Sequence, residues 1–198
     1  MRATSPQQEL FDRATGLPDG LVYRPAFLSS ADEQPLIASI QALPLREARY
    51  RSFTAKRRIL SFGAGYDFET NVLLPAPPLP RFLCEFRERV AEWARIPDHE
   101  LAQSTVAEYA PGTQLGWHRD VPQFGTVVGI SLGAPCRMRL RPYPHQKHGK
   151  ERALVLVLEP RSAYILRGAA RWHWQHAISP TKALRYSITF RTMSVPTG

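Results

Sequence analysis

Residues 108–120 read EYAPGTQLGWHRD, and they contain a Pro-Gly turn followed by an extended run that ends in His118 and Asp120. Pro and Gly favour chain reversal, so this stretch predicts a turn that leads into a strand. Side chains two residues apart share one face of a strand, and His118 and Asp120 can therefore reach one metal ion. The triplet alone is weak evidence, because a surface turn with a salt-bridged Asp has the same form.

A third candidate ligand follows further along the chain, at His176 or at His173. These two residues would face opposite sides of a strand, so only one of them can serve. Two imidazoles and one carboxylate can cover one face of an octahedral Fe(II) and leave three positions open. A bidentate acid and O2 can fill those positions.

Residues 185–191 read RYSITFR and predict a strand with one polar and one apolar face. The polar face carries Arg185, Ser187, Thr189 and Arg191, because side chains alternate along a strand. Such a face is either exposed to solvent or lines a polar pocket, and the neighbouring metal ligands favour the pocket. A planar guanidinium matches a carboxylate. Together these patterns indicate an Fe(II) oxygenase that uses 2-oxoglutarate as its co-substrate.

Outward from these stretches, the chain after residue 103 consists of short alternating or apolar runs separated by turns. Strands are predicted at 104–109, 126–132, 136–141, 153–158, 163–167, 172–177 and 184–192. Two helices are predicted earlier, at 33–43 after a cap at Asp32 and at 81–95 after Pro80. Many short strands are typical of a sandwich or jelly roll. We therefore expect a mainly β (α+β) fold, a double-stranded β-helix with two helices packed on one face.

The predicted domain organisation is simple. Residues 1–20 are expected to form a flexible N-terminal arm, and 21–198 a single dioxygenase domain. Within that domain, 21–103 is the N-terminal extension with a substrate lid, and 104–192 is the jelly-roll core.

Composition favours a polyanionic partner. The 198 residues carry a net charge of +9, and the isoelectric point is about 10.1. Such a charge suits nucleic acid, although a generally basic proteome or a solubility charge would give the same value. Two cysteines are too few for a disulfide scaffold, and neither a signal segment nor a membrane span is evident. The chain is expected to be a cytoplasmic monomer without a membrane partner.

The motifs resemble the AlkB family of nucleic-acid dealkylating dioxygenases over roughly residues 20 to 192. The resemblance rests on the residues of 108–120 together with Arg58-Ile59-Leu60-Ser61-Phe62-Gly63, Ser131-Leu132-Gly133 and the strand 185–191. It implies a jelly-roll fold, Fe(II), 2-oxoglutarate and O2. It also favours His176 over His173 as the third ligand, because the family has His-x-Ile or His-x-Val there. His118, Asp120 and His176 are thus the expected metal ligands, and no catalytic residue beyond them is needed.

The resemblance also implies a co-substrate site. It assigns Arg185 to the distal carboxylate of 2-oxoglutarate, with help from Tyr109, and Arg191 to the carboxylate beside the keto group. Ser187 and Ser131 are included in this site. Two positions depart from the family: Ala107 stands where many members have Asn, and Pro122 stands where some DNA-repair members have an acidic residue that contacts the flipped base.

Nucleic acid is the expected partner, with DNA favoured over RNA. A base must be extruded before an enzyme can act on it, and Trp117 and Tyr66 are candidates to stack on it. The alternative for Trp117 is core packing. Arg139 and Arg141 belong to a charged hairpin that either tracks phosphates or is simply solvated. The expected function is oxidative removal of N-linked alkyl groups from bases, as in DNA alkylation repair. The alternatives are a hydroxylase or demethylase of a protein or small molecule, and a non-catalytic nucleic-acid binding domain.

Overall fold

The computed structural model describes residues 16–50, 53–67, 69–144 and 153–194. Most of the expected N-terminal arm, 1–15, lies outside these residues. The strands are β1 (Leu21–Arg24), β2 (Arg46–Tyr50), β3 (Phe53–Phe62), β4 (Ala64–Asp67), β5 (Val72–Pro75), β6 (Gln103–Tyr109), β7 (Leu115–His118), β8 (Phe124–Gly133), β9 (Cys136–Pro142), β10 (Leu154–Leu158), β11 (Ser162–Leu166), β12 (Trp174–Ile178) and β13 (Arg185–Met193). The helices are α1 (Ser30–Gln41), α2 (Arg81–Ala94) and α3 (Gly168–Trp172), with a 3-10 turn at Asp98–Glu100.

The strands form two main antiparallel sheets. The larger sheet has seven strands in the order β1-β11-β8-β13-β6-β3-β2, and the smaller has four in the order β10-β9-β12-β7. The hairpin β4-β5 stands apart as a third, two-stranded sheet. Apart from β2-β3 and β9-β10, neighbours in the main sheets come from separate parts of the chain, as a jelly roll requires. The predicted mainly β jelly-roll fold is confirmed.

The two long helices cover one face of the seven-stranded sheet. Leu83, Phe86 and Val90 of α2 are buried in the same cluster as Ile188 and Phe190 of β13. These helical residues recur at the spacing of one helix face, so α2 packs on the sheet with a single apolar face. The opposite face of β13 is thereby left for the cavity between the sheets.

Two details differ from the sequence predictions. The N-cap of α1 is Ser29 rather than Asp32; Asp32 instead occupies the third helical position and completes a capping box with Ser29. This box satisfies two of the free N–H groups at the start of the helix. The short helix α3 was not predicted, and it takes the first residue of the strand expected at 172–177.

The N-terminal part of the chain does more than extend the core. Strands β1, β2 and β3 all lie in the seven-stranded sheet, and β3 pairs with β6 from Arg58–Glu108 to Phe62–Ser104. The boundary expected at residue 104 therefore falls inside one continuous sheet, and the division into domains stays a prediction. No helix in the described part of the chain is long and apolar enough to cross a membrane.

Candidate active site

A cavity of about 760 Å³ lies between the two main sheets. The seven-stranded sheet contributes the polar face of β13, and the four-stranded sheet contributes β7 and His176 of β12. The polar face of β13 is thus a pocket lining rather than a solvent-facing surface. Among the residues predicted for the site, the cavity is lined by Tyr66, Tyr109, Trp117, His118, Asp120, His176, Arg185, Ser187 and Arg191.

His118, Asp120 and His176 lie together at one wall of this cavity. Their candidate ligand atoms all lie within 4.8 Å of one another. Register explains the proximity, since His176 of β12 stands directly opposite His118 of β7, and cross-strand neighbours are the closest side chains in a sheet. The ring centroids of the two imidazoles are 4.2 Å apart. This donor set fits an Fe(II) facial triad, which requires two imidazoles and one carboxylate on one face.

The two oxygens of Asp120 have separate surroundings. Oδ1 accepts a hydrogen bond from Nε of Arg191 at 2.7 Å, while Oδ2 faces Nε2 of His176 at 3.7 Å. Oδ2 is therefore the oxygen turned toward the metal position. Burial raises the pKa of Asp120, but Arg191 and the neighbouring cations outweigh burial and hold it below its usual range. The carboxylate is ionised, as a metal ligand must be.

The two histidines also have the tautomer and protonation state that a metal ligand needs. Nδ1 of His118 lies 2.9 Å from the carbonyl oxygen of Gly116. A carbonyl only accepts hydrogen bonds, so Nδ1 carries the proton and Nε2 is left for a metal. Burial, followed by the neighbouring His118, lowers the pKa of His176 to about 3. Burial also lowers the pKa of His118, so both rings are neutral imidazoles near pH 7, the form that binds metal.

Arg191 is held by three partners. Besides Asp120, its Nη1 donates to Oε1 of Gln103 at 2.8 Å and to Oγ1 of Thr105 at 3.1 Å. Gln103 and Thr105 lie on β6, the neighbour of β13, and sequence analysis did not single them out. Arg191 therefore orients the metal carboxylate, and its predicted contact with the keto-side carboxylate of 2-oxoglutarate stays a prediction.

Arg185 lies at the other end of the polar face and is 2% exposed. Its Nε donates to Oγ of Ser131 at 3.1 Å, and its guanidinium lies over the Tyr109 ring at 4.8 Å. Its Nη1 is buried and has no hydrogen-bond partner among the described residues. A buried guanidinium N–H without an acceptor is costly, so this atom fits a site for an incoming carboxylate. The observation supports the predicted binding of a dicarboxylic co-substrate.

The remaining co-substrate candidates have distinct positions. Ser131 is fully buried and does not line the cavity; its hydroxyl accepts the hydrogen bond from Nε of Arg185. Ser187 and Tyr109 do line the cavity. Ala107 also lines the cavity, and its methyl group offers no polar contact to the acid. Ala107 therefore does not replace the side-chain amide that many family members have at this position.

The two aromatic residues predicted to contact the substrate, Tyr66 and Trp117, both line the cavity but have different surroundings. Tyr66 lines the cavity from the hairpin β4-β5, and its hydroxyl lies 3.3 Å from Oδ1 of Asn71. Trp117 also lines the cavity, but its ring carries the guanidinium groups of Arg139 at 4.7 Å and Arg141 at 4.3 Å. The Trp117 ring therefore neither packs simply in the core nor offers a free surface for stacking. Its use as a base platform stays a prediction.

Arg139 and Arg141 are not in the cavity. They lie on the outer face of the four-stranded sheet, while Met138 and Leu140, which alternate with them, are fully buried. Arg141 also donates to Oε1 of Gln175 at 2.8 Å. The charged hairpin residues Lys147, Lys150 and Arg152 lie outside the described residues. His173 is exposed at the end of α3 and is absent from the cavity lining.

Sequence analysis missed Arg171, a buried residue of α3 that holds the turn after Asp120. Its Nε donates to the carbonyl of Gly125 at 2.8 Å, and its Nη2 donates to those of Val121 at 2.8 Å and Phe124 at 2.6 Å. In return, Arg119 of the ligand loop donates to the carbonyl of Trp172 at 2.7 Å. The loop that carries Asp120 is thus fixed to the helix that leads into His176. A single Arg in a short helix gave no pattern by which to find it.

Replacing Arg171 by Met is expected to weaken metal binding, because it frees the turn that carries Asp120 while filling similar space. Supporting residues around metal ligands are typically worth 10- to 100-fold in affinity, so we expect a loss of about 10-fold or more. Titration of Mn(II) against the wild type and the variant measures it. The control is Arg167→Met, which alters an exposed residue just before α3. Equal Mn(II) affinity in all three proteins would contradict the role.

Comparisons with known proteins agree with this site. The chain belongs to the 2OG-Fe(II) oxygenase superfamily, whose family model matches residues 20–191. Its relatives include AlkB homologues, so the resemblance seen in the sequence is confirmed. It is 34% identical over 165 residues to the bovine alpha-ketoglutarate-dependent dioxygenase alkB homolog 7, mitochondrial, covering 82% of this chain and 68% of that protein.

Two further relatives are longer proteins. The chain is 30% identical over 190 residues to an Arabidopsis thaliana alkylated DNA repair protein ALKBH8 homolog, covering 85% of this chain and 53% of that protein. It is 27% identical over 173 residues to the Mus musculus tRNA (carboxymethyluridine(34)-5-O)-methyltransferase ALKBH8, covering 84% of this chain and 25% of that protein. The chain thus spans about half or less of these two relatives.

A solved structure shares the fold. The structure of OsALKBH1 superimposes with a TM-score of 0.67 at 18% sequence identity, covering 89% of this chain and 98% of that one. The match supports the jelly-roll architecture. Fe(II), 2-oxoglutarate and O2 are the cofactor and co-substrates that the superfamily implies, and the metal triad and Arg185 fit them.

Proposed function

We propose that this chain is an Fe(II)- and 2-oxoglutarate-dependent dioxygenase that removes N-linked alkyl groups from nucleic-acid bases. The observation that carries the proposal is the charge of the cavity. Among its described lining residues, Lys56, Arg57, Arg119, Arg185 and Arg191 are cationic, and Asp120 is the one carboxylate. Cations lining a cavity raise the local concentration of anions, which suits a dicarboxylic acid and the phosphates beside a flipped base.

The metal and the far carboxylate of the co-substrate would occupy opposite ends of the polar face. His118, Asp120 and His176 would hold Fe(II), and Arg185 would anchor the far carboxylate of 2-oxoglutarate. When bound, iron, 2-oxoglutarate and O2 together supply an oxidation that hydroxylates a carbon–hydrogen bond and yields succinate and CO2. On an N-methyl group, the N–CH2OH product breaks its C–N bond; the base nitrogen regains a proton and formaldehyde leaves.

The protein's own residues orient the metal ligand and neutralise the charge of the co-substrate. Arg191 fixes Asp120 so that one oxygen faces the metal, and Gln103 and Thr105 fix Arg191. The guanidinium groups balance the charge of the acid through charge-assisted contacts, which are among the stronger hydrogen bonds. No side-chain nucleophile is needed for this reaction.

The choice between DNA and RNA belongs to the proposal. One relative is named for alkylated DNA repair and another for tRNA modification. We favour DNA as the substrate. We also favour Arg139 and Arg141, on the outer face of the smaller sheet, as the residues that contact its phosphates. A second candidate is a 2-oxoglutarate-dependent hydroxylase of a protein or small molecule. The Trp117 ring favours this candidate, because two arginines cover the ring and no base can stack where the arginines lie.

The deciding experiment is a panel of alkylated oligonucleotides, as DNA and RNA and as single and double strands. The Fe(II)-loaded protein is incubated with each one, 2-oxoglutarate and O2, and base mass and succinate are measured. Loss of the alkyl mass together with stoichiometric succinate is the expected result. Succinate formation that no oligonucleotide stimulates, with no alkyl loss, would favour the second candidate.

Oligonucleotide binding is expected to weaken steeply with salt, because phosphate contacts release counterions. Replacing Arg139 and Arg141 by Gln should reduce the slope of log affinity against log salt by about 1.4 to 1.8, since each lost phosphate contact contributes about 0.7 to 0.9. The matched control replaces the exposed Arg46 and Arg81 by Gln, which removes the same charge elsewhere. A slope that falls equally in both variants would show only a general charge effect.

A further inference from the structure

An exposed indole ring lies beside the metal-ligand loop. Trp172, the last residue of α3, is 37% exposed, whereas the other three tryptophans, Trp93, Trp117 and Trp174, are all partly buried. Tryptophan is usually well buried, because most of its large ring is apolar. A polar side chain would serve equally well at the exposed end of a short helix. The exposed part of this ring therefore contributes nothing to the packing of the described residues.

Arg171 holds the inner face of the ring in place. The Cζ atom of Arg171 lies 4.2 Å from the centre of the Trp172 ring. Arg171 is 3% exposed and donates to the carbonyl oxygens of Val121, Phe124 and Gly125, in a loop that lines part of the cavity. Because Arg171 is buried, the exposed area of the indole belongs to its opposite face and edge. A fixed aromatic face is thus open to solvent next to the cavity wall.

A cation links this ring to the cavity. Arg119 lines the cavity, and its Nη1 donates to the Trp172 carbonyl oxygen at 2.7 Å. The guanidinium also lies over the ring of the exposed Tyr143, with Cζ 3.8 Å from the ring centre. No carboxylate of the described residues forms an ion pair with Arg119. Two contacts therefore fix a guanidinium whose charge is left for an anion from outside.

An open aromatic face beside an unpaired guanidinium matches the two parts of a nucleotide. Aromatic side chains stack on bases of any sequence, and neighbouring cations contact the phosphates of the same strand. We propose that Trp172 stacks on the base next to the target base and that Arg119 contacts the phosphate between the two nucleotides. This inference rests on the nucleic-acid substrate of the proposed function, and it adds a site for the neighbouring nucleotide. Tyr143 is a positioning residue that holds the Arg119 guanidinium.

Removal of a single base tests the stacking. The probe is a single-stranded DNA oligonucleotide with one N-methylated adenine, and in further probes an abasic residue replaces one neighbouring base, on the 5′ or the 3′ side. RNA of the same sequence is measured in parallel. At one neighbouring position, base removal should weaken binding to the Mn(II)-loaded wild type by about 5- to 100-fold, which is the usual contribution of stacking one base.

Trp172→Leu should bind the intact and the abasic oligonucleotide with equal affinity, because it has no ring to lose. Trp172→Phe is the matched control: it keeps a ring at this position and should keep most of the difference. The comparison is a ratio of two affinities within each protein, so a general loss of stability cancels.

An uncharged linkage tests the phosphate contact. A methylphosphonate between the same two nucleotides should weaken binding to the wild type about 10-fold or more, as for loss of a hydrogen bond to a charged group. Arg119→Gln should bind both oligonucleotides equally, and the exposed control Arg167→Gln should behave as the wild type.

Two results would overturn the inference while the proposed function stands. One is dealkylation by a wild type that responds to base removal at neither neighbouring position. The other is an abasic effect in Trp172→Leu as large as that in the wild type. Failure of the wild type to bind or dealkylate any alkylated oligonucleotide would overturn the proposed function as well.

Discussion

Replacing His176 by Ala is expected to abolish 2-oxoglutarate turnover. His176 supplies one of only two imidazoles in a three-ligand set, and no other described histidine lines the cavity besides His118. Changes to residues that merely support ligands cost about 10- to 100-fold, so loss of a ligand should cost at least about 100-fold. Succinate formation measures the turnover, and Mn(II) titration should show that the metal no longer binds with the wild-type affinity.

His173→Ala is the matched control, because it removes an exposed imidazole three residues away in the sequence. Its turnover and Mn(II) affinity should equal those of the wild type. Circular dichroism of both variants tests whether the fold is retained. Near-normal turnover in His176→Ala, with loss in His173→Ala, would show that the third ligand was assigned to the wrong histidine.

The sequence predicts the polar wall of the cavity because a strand has a strict period of two. Tyr186, Ile188 and Phe190 alternate with polar residues, so a single assignment of strand fixes both faces at once. The helices' packing face follows equally well from periodicity, since the apolar residues of α2 recur at helical spacing. Strong local periodicity is thus what made these parts of the fold predictable.

Two of the contacts that sequence analysis missed depend on which strands become neighbours. Trp117 meets Arg139 and Arg141 because β9 and β7 both flank β12, an order that no local pattern encodes. The Tyr164 ring lies against Gly129, where a side chain would overlap it, only because β11 lies beside β8. In the sequence, each was an ordinary strand residue and an ordinary glycine.

Replacing Arg185 by Lys is expected to weaken 2-oxoglutarate binding strongly. Arg185 lines the cavity and its buried Nη1 has no hydrogen-bond partner among the described residues, while Ser131 and the Tyr109 ring hold the rest of the group in place. Lys keeps the charge but cannot reproduce a planar fork with several N–H groups. Losing such a charge-assisted contact costs about 2–3 kcal/mol, which is roughly 30- to 150-fold in affinity.

Titration of 2-oxoglutarate into the Mn(II)-loaded variant measures the loss, and 2-oxobutyrate gives the internal comparison. The shorter acid lacks the carboxylate that Arg185 anchors, so its affinity should be nearly the same in the wild type and in Arg185→Lys. Arg137→Lys is the control, because Arg137 is exposed on β9 and is absent from the cavity lining. Unchanged affinity for 2-oxoglutarate in Arg185→Lys would remove Arg185 from the co-substrate site, and with it the anchor on which the orientation of the acid toward the metal triad depends.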